Sequence, residues 1–133
     1  APVYLLRGTD GLALVVLPIY GTGYQSTIRA YLALKGDLNT IAALSIYEHG
    51  ETPGLGSRIT NPGWLALWSG KQAADAAGVI TITVVRGSAA TASEVDGITG
   101  ATRSATGVAN LVQFWLGPHG YGPFLTRLKT GAL

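Results

Sequence analysis

Thr27-Ile28-Arg29-Ala30-Tyr31-Leu32-Ala33-Leu34 alternates apolar and outward-facing residues along its length. Ile28, Ala30, Leu32 and Leu34 fall on one face, with Arg29 and Tyr31 on the other, the period-two pattern of a half-buried strand. Toward the N-terminus, Gly21-Thr22-Gly23 breaks the chain. Before it, Pro2–Arg7 and Leu12–Leu17 are apolar stretches joined by Gly8-Thr9-Asp10-Gly11, where the Asp-Gly pair favours a tight reversal and a β-hairpin. Toward the C-terminus, Gly36-Asp37-Leu38-Asn39 makes a turn and Thr40–Tyr47 resumes a strand. Four strands ahead of any helix predict an antiparallel meander rather than alternating βαβ units.

Beyond the meander, Glu48–Ile59 is rich in Gly and Pro and reads as a loop. Asn61 is placed to cap a short helix that has Pro62 at its first position and runs through Trp64, Leu65, Leu67 and Trp68. Val79–Arg86 has the strongest strand composition in the chain, with Ile80, Ile82 and Val84 toward the core and Thr81 and Thr83 outward. Gly87–Val95 reads as a small, polar loop. From Thr102 the period becomes helical, with Val108, Leu111, Val112, Trp115 and Leu116 forming a buried stripe that Gly117-Pro118 ends. With no internal repeat or linker, residues 1–133 read as a single α+β domain, a mainly antiparallel sheet with a few packed helices.

Composition narrows the function. Of 133 residues, 47% are hydrophobic and 12% charged, with a mean hydropathy of +0.32, which points to a surface covered by a partner, a cofactor or a bilayer. No apolar run is long enough for a membrane span; Leu12–Tyr20 is short and holds Pro18. The net charge is +2, but the nine Lys and Arg are scattered, which argues against nucleic-acid binding. The absence of Cys rules out disulfides, thiolate metal sites and cysteine nucleophiles within this sequence. The absence of Met points to a processed or trimmed start, with any signal or anchor lying upstream.

The chemistry concentrates at Asp96-Gly97-Ile98-Thr99-Gly100-Ala101-Thr102, which leads into the helical pattern. First-turn N–H groups have no intrahelical partner, and the helix dipole adds partial positive charge there, so the place suits a phosphate. Gly97, Gly100 and Ala101 allow close backbone approach, while Arg103 supplies a full positive charge. Thr99, Thr102 and Ser104 are hydroxyl-bearing candidates for an ordinary N-cap, the rival reading. The Gly-Lys-Thr/Ser ending of a nucleotide-binding P-loop is missing.

This segment resembles the flavin-attachment motif in which a transferase couples FMN through its phosphate to the final threonine. Tyr47-Glu48-His49-Gly50-Glu51-Thr52-Pro53-Gly54-Leu55-Gly56 is similar to the signature loop of the FMN-binding domains in the NqrC family, the C subunits of sodium-translocating NADH:quinone oxidoreductases. Tyr31–Leu34, Trp68–Lys71, Phe114–Gly117 and Gly120–Leu125 resemble further blocks of that family, in the same order, from Pro18 to Leu128. The resemblance implies covalent FMN on Thr102, with Asp96, Gly97, Thr99, Gly100, Ala101, Arg103 and Ser104 around it. It brings the Glu51–Gly56 loop to the flavin, with Glu51 and Thr52 as hydrogen-bonding groups, Leu55 as an apolar face and Gly56 permitting close approach. Trp64 is the aromatic expected as a flavin neighbour, whereas Trp115 reads as core. The family's N-terminal membrane-spanning helix is absent from this chain.

Other constellations fit less well. Glu48, His49 and Glu51 would need more ligands to hold a metal, and His49 reads as a loop histidine with a satisfied hydrogen bond. Gly21-Thr22-Gly23-Tyr24 lacks the third glycine of a dinucleotide fingerprint, as Ser26 stands there, and no βαβ unit surrounds it. No catalytic triad is expected; the flavin would carry the redox chemistry. The resemblance implies an electron carrier in a respiratory complex of the bacterial inner membrane, facing the periplasm, between NADH and quinone and coupled to sodium translocation. Other subunits and the flavin transferase would be its partners. The alternatives are the G subunit of the related ion-translocating electron-transport complex and a non-redox interaction domain whose Thr102 only caps a helix.

Overall fold

Ile28, Ala30, Leu32 and Leu34 lie fully buried on one face of a strand that runs from Thr27 to Lys35, as their alternation predicts. The computed structural model describes residues 2–24 and 26–131. Strands β1 (Tyr4–Gly8), β2 (Gly11–Thr22), β3 (Thr27–Lys35) and β4 (Ile41–Glu48) form an antiparallel sheet in sequence order. Val15, Leu17 and Ile19 of β2 and Ile41 and Leu44 of β4 complete the buried face. Along β4, the register with β3 slips between Ala33 and Leu34 and again between Arg29 and Ala30. The slip beside Leu34 places Ile41 and Leu44, three residues apart, on the same face.

Gly21-Thr22 does not end β2, contrary to expectation; the strand continues through Thr22 and the chain turns at Gly23, whose N–H bonds to the Ser26 carbonyl. The glycines have a packing purpose. Helix α2 (Thr102–Leu116) crosses the sheet so closely that a Cβ on Gly21 would lie 2.8 Å from Leu111 Cβ. A Cβ on Gly107 would meet the Gly23 Cα at 2.9 Å. The buried stripe of α2 includes Ala105, Val108, Leu111, Val112 and Leu116 and seals the core against the sheet.

Asn61 accepts from Gly63 N–H at 2.7 Å and opens α1 (Pro62–Ala66), as its sequence predicts. Trp64 and Trp68 meet edge to face, with centroids 5.8 Å apart, and both are buried. Val79–Arg86 departs from expectation. Only Thr83–Val84 forms a strand (β5), paired in parallel with Glu94–Val95 (β6), a segment whose composition reads as loop. Ile82 is buried, but Ile80 and Val84 are only half-buried. The preceding residues have no ladder to join: Thr81 and Ile82 both donate to the Ala73 carbonyl, and Ile80 makes an isolated bridge with Ala74. Local β propensity is overridden by the lack of a partner strand.

Two further elements lie where no helical period marks the sequence. A 3-10 turn (Gly56–Thr60) closes the Gly- and Pro-rich loop, and α3 (Gly122–Lys129) follows the Gly117–Tyr121 turn. Tyr121 donates its hydroxyl to the Pro18 carbonyl at 2.7 Å, and the Trp115 indole donates to the Tyr20 carbonyl at 2.7 Å. Burial, with Tyr20 nearby, raises the Tyr121 pKa and keeps this donor protonated. No helix among the described residues is long and apolar enough to cross a membrane.

The glycine contacts set a test of the helix–sheet seam. Ala favours a helix interior over Gly by about 1 kcal/mol, yet overpacking costs about 1–3 kcal/mol, and at Gly107 the obstacle is backbone rather than a flexible side chain. Gly107→Ala is therefore expected to lower the urea midpoint at unchanged m-value. A raised midpoint would show that propensity governs this position.

Candidate functional site around Thr102

The chain enters the site from β6. Asp96 accepts from Ala89 N–H at 2.6 Å through its carboxylate and from the Trp64 indole at 2.8 Å through its carbonyl. Gly97 donates to the Gly87 carbonyl at 3.0 Å, and a Cβ there would fall 2.5 Å from the Val85 carbonyl oxygen. Gly100 then takes a φ of +81°, a left-handed conformation that favours glycine, so that Ala101 N–H can close a turn onto the Ile98 carbonyl at 3.0 Å. The tightness of this segment explains why glycine occupies both positions.

Thr102 is the first residue of α2 and is exposed. Ala101 stands at the N-cap, with no side-chain cap, so none of the candidate hydroxyls caps the helix. Thr99 is exposed, while Ser104 is buried and donates to Glu51 Oε1 at 2.8 Å. The first turn holds no acidic residue. Its N–H groups and dipole present positive potential beside the Thr102 hydroxyl, offset in part by the buried Glu51 carboxylate that Ser104 meets.

The Glu48–Gly56 loop packs against this helix start. Glu51 is 4% exposed, and its Oε1 also accepts from Tyr24 N–H at 2.8 Å, while Oε2 accepts from the Ser26 hydroxyl. His49 accepts from Glu51 N–H at 3.1 Å, the local satisfaction its loop position predicts. The Thr52 carbonyl accepts from Leu55 and Ser57, and Gly54 takes a φ of +74° at the tip, leaving Leu55 exposed. A Cβ on Gly56 would sit 2.5 Å from Ser104 Oγ, so its backbone lies directly on the first turn of α2. Among the described residues, no group of three His, Cys, Asp or Glu is arranged to hold a metal.

Two cavities flank Thr102. The smaller, about 410 Å³, is lined by Thr52, Leu55, Gly56, Gly100, Ala101, Thr102, Arg103 and Ser104 from the sequence prediction, together with Tyr24. The other, about 550 Å³, brings Gly97, Thr99, Gly100 and Thr102 together with Ile98 and the Val84–Gly87 segment. Cavities of about 600 and 630 Å³ lie elsewhere, and Thr102 borders neither.

Three predicted site residues line neither flanking cavity. Glu51 is buried behind the loop, Trp64 lies in the core beneath Asp96, and Asp96 ties the incoming segment. Their geometry supports the walls rather than forming them. Conversely, Tyr24 lines the smaller cavity and Arg58 lies against Gly100, and neither carries a sequence signal that marks it for this site. Arg103 donates to the Tyr24 hydroxyl at 3.2 Å and lies 4.9 Å from its ring centroid, a cation–π contact between residues far apart in the chain. Tyr24 does stand in the Gly21–Tyr24 segment that superficially resembles a nucleotide loop, but the glycines there serve helix packing.

A fold of this kind, with a glycine-lined helix start between two cavities, has known counterparts. The FMN-binding domain family matches residues 23–117, and the chain belongs to that family. It is similar to the C subunit of the Na(+)-translocating NADH-quinone reductase of Pseudomonas aeruginosa, at 46% identity over 97% of this chain and 51% of the relative. For the C subunit of Yersinia pestis the identity is 45%, over 98% of this chain and 50% of the relative. The chain thus spans about half the length of these relatives. The crystal structure of Shewanella oneidensis NqrC superposes with a TM-score of 0.91 at 40% identity, covering 96% of this chain and 60% of that one. The C subunit from Parabacteroides distasonis gives a TM-score of 0.80 at 30% identity, over 93% and 62%.

The Glu51 network gives the site its stability test. Removing the carboxylate leaves the Tyr24 N–H and two serine hydroxyls without this acceptor. Glu51→Ala is expected to lower unfolding free energy by at least the ~1.5–3 kcal/mol of one hydrogen bond to a charged group. Glu51→Gln, which keeps the volume and an acceptor oxygen, should lose less. Urea unfolding measures both, and a change within about 0.5 kcal/mol for Glu51→Ala, the usual surface effect, would contradict the network's role.

Proposed function

We propose that this chain is the FMN-carrying domain, residues 1–133, of an NqrC subunit of Na+-translocating NADH:quinone reductase, with FMN joined by a phosphoester to Thr102 Oγ1. The observation that carries the reading is the exposed Thr102 at the start of α2, which no side chain caps, bordering two cavities. The family and the similarity to NqrC proteins supply the flavin and the complex. The ordinary-cap alternative loses its basis because Thr102 follows the N-cap position instead of occupying it.

In attachment, Thr102 Oγ1 forms a bond to phosphorus and loses its proton, while the bond from phosphorus to the leaving group of the activated flavin nucleotide breaks. A flavin transferase supplies that donor and the catalysis. The residues here orient the acceptor. Gly100 turns the chain, Ala101 keeps the approach open, and the first-turn N–H groups of α2 face the phosphate's charge. Once bound, the flavin supplies the capacity to accept and pass on electrons.

Thr52, Leu55 and Gly56 form the loop wall beside Thr102, with Leu55 offering an apolar surface to the ring and Thr52 a hydrogen-bonding group. Arg103 and Ser104 complete the helix wall, while Gly97 and Thr99 border the other cavity. Asp96, Glu51 and Trp64 act from behind these walls. The domain passes electrons between redox subunits in a pathway from NADH toward quinone, coupled to sodium movement. It faces the periplasm at the bacterial inner membrane, anchored through a family helix outside this sequence.

Coexpression with a flavin transferase is expected to raise the protein mass by FMN less water. Thr102→Ala should abolish the gain, with folding checked by circular dichroism. Absence of any gain with a transferase active on a control substrate would sink the covalent-carrier reading. Leu55→Ala should leave attachment intact while shifting the flavin absorption spectrum or midpoint potential, and an unchanged spectrum and potential would remove Leu55 from the ring contact.

A further inference from the structure

We propose that Arg58 is a phosphate-positioning residue at the Thr102 site, supplying a cation specific for the anionic tail of the flavin nucleotide. The inference deepens the proposed FMN function and rests on it. Arg58 comes from the 3-10 turn and is half-buried. A Cβ on Gly100 would meet its Nη2 at 2.5 Å and its Cζ at 3.6 Å, so the guanidinium lies against the backbone rib shared by both cavities. That rib is two residues before the acceptor hydroxyl.

Among the described residues, the only ion pair joins Arg29 to Glu48, so the Arg58 guanidinium has no acidic partner there. Its Nε donates to the Leu55 carbonyl at 3.3 Å, which anchors the side chain behind Gly100, just outside the lining of the two cavities. No acidic residue occupies the first turn of α2. Of the other guanidinium groups nearby, Arg103 is held by the Tyr24 hydroxyl and ring, and Arg86 stands among the Val84–Gly87 residues on the wall of the second cavity. A partly desolvated cation beside the helix N–H groups favours an anion at this point, and guanidinium geometry suits two phosphate oxygens.

The division of labour follows from position. Arg58 acts from the loop side and the helix N–H groups from the other, with Gly100 between them permitting the close approach. A side chain at Gly100 would displace the guanidinium as well as adopt an unfavourable φ. The residue therefore couples the loop to recognition of the nucleotide tail, whereas Leu55 and Thr52 lie on the wall assigned to the ring.

Thr102→Ala protein, which cannot form the ester, provides the test. FMN and riboflavin affinities are measured by flavin fluorescence in that background, with and without Arg58→Leu and Arg58→Lys. FMN is expected to bind more tightly than riboflavin. Arg58→Leu should weaken FMN binding by about ten- to a hundredfold, the loss of a charge-assisted hydrogen bond, and leave riboflavin unchanged; Arg58→Lys should restore part of the loss. Preserved FMN preference in Arg58→Leu, equal weakening of both flavins, or no FMN preference before Arg58 is changed would each overturn the assignment. Transferase-dependent mass gain in the parent separates the two readings: attachment with any of those outcomes removes Arg58 alone, while no attachment removes the FMN carrier reading and this inference together.

Discussion

A single buried carboxylate joins the parts on which the site is built. Glu51 receives the Tyr24 N–H and the Ser26 hydroxyl from the β2–β3 connection and the Ser104 hydroxyl from α2. Burying a charge is costly unless hydrogen bonds replace water, so the carboxylate constrains its own loop and both of these segments together. Gly56 reinforces the arrangement by bringing the loop backbone onto Ser104 and Glu51. The close packing of Gly107 on Gly23 brings α2 down to the same end of the sheet. The Thr102 hydroxyl thus sits at the end of a helix whose position is fixed from two directions.

The meander was legible because apolar alternation and turn chemistry agree along β1 to β4, and α1 and α2 had equally consistent signals. Asn61 with Pro62 gave one helix its start, and the Val108–Leu116 stripe gave the other its buried face. Val79–Arg86 shows where such reading fails. Its β-rich composition describes side chains that fit a strand, but strand formation also requires a neighbouring backbone, and the structure provides one only at Thr83–Val84. Helix α3 was hidden for the opposite reason: it is short and has no fully buried residue, so no strong apolar period marks it.

At the site, glycine spacing and the helix boundary could be read directly, whereas the layers could not. Asp96 belongs to the Asp96–Thr102 segment, yet its carboxylate turns back to Ala89. Trp64 supports that same residue from the core. Arg58 is a single basic residue in the 3-10 turn just past the Tyr47–Gly56 block, and only its placement against Gly100 gives it significance. Sequence proximity pointed to the acceptor; the surrounding charge required three-dimensional contact.

The two aromatic hydrogen bonds to β2 also restrict how this protein can meet another. Strand β1 covers the first part of that edge, and beyond it the carbonyls of Pro18 and Tyr20 are occupied by Tyr121 and Trp115. Pro18 contributes no N–H. An incoming extended peptide therefore finds neither a free acceptor at those two carbonyls nor a donor at Pro18, and cannot continue the sheet there. Recognition on this side must use ring surfaces and side chains, which keeps the fold from being lengthened by strand addition at the place where its edge would otherwise be open.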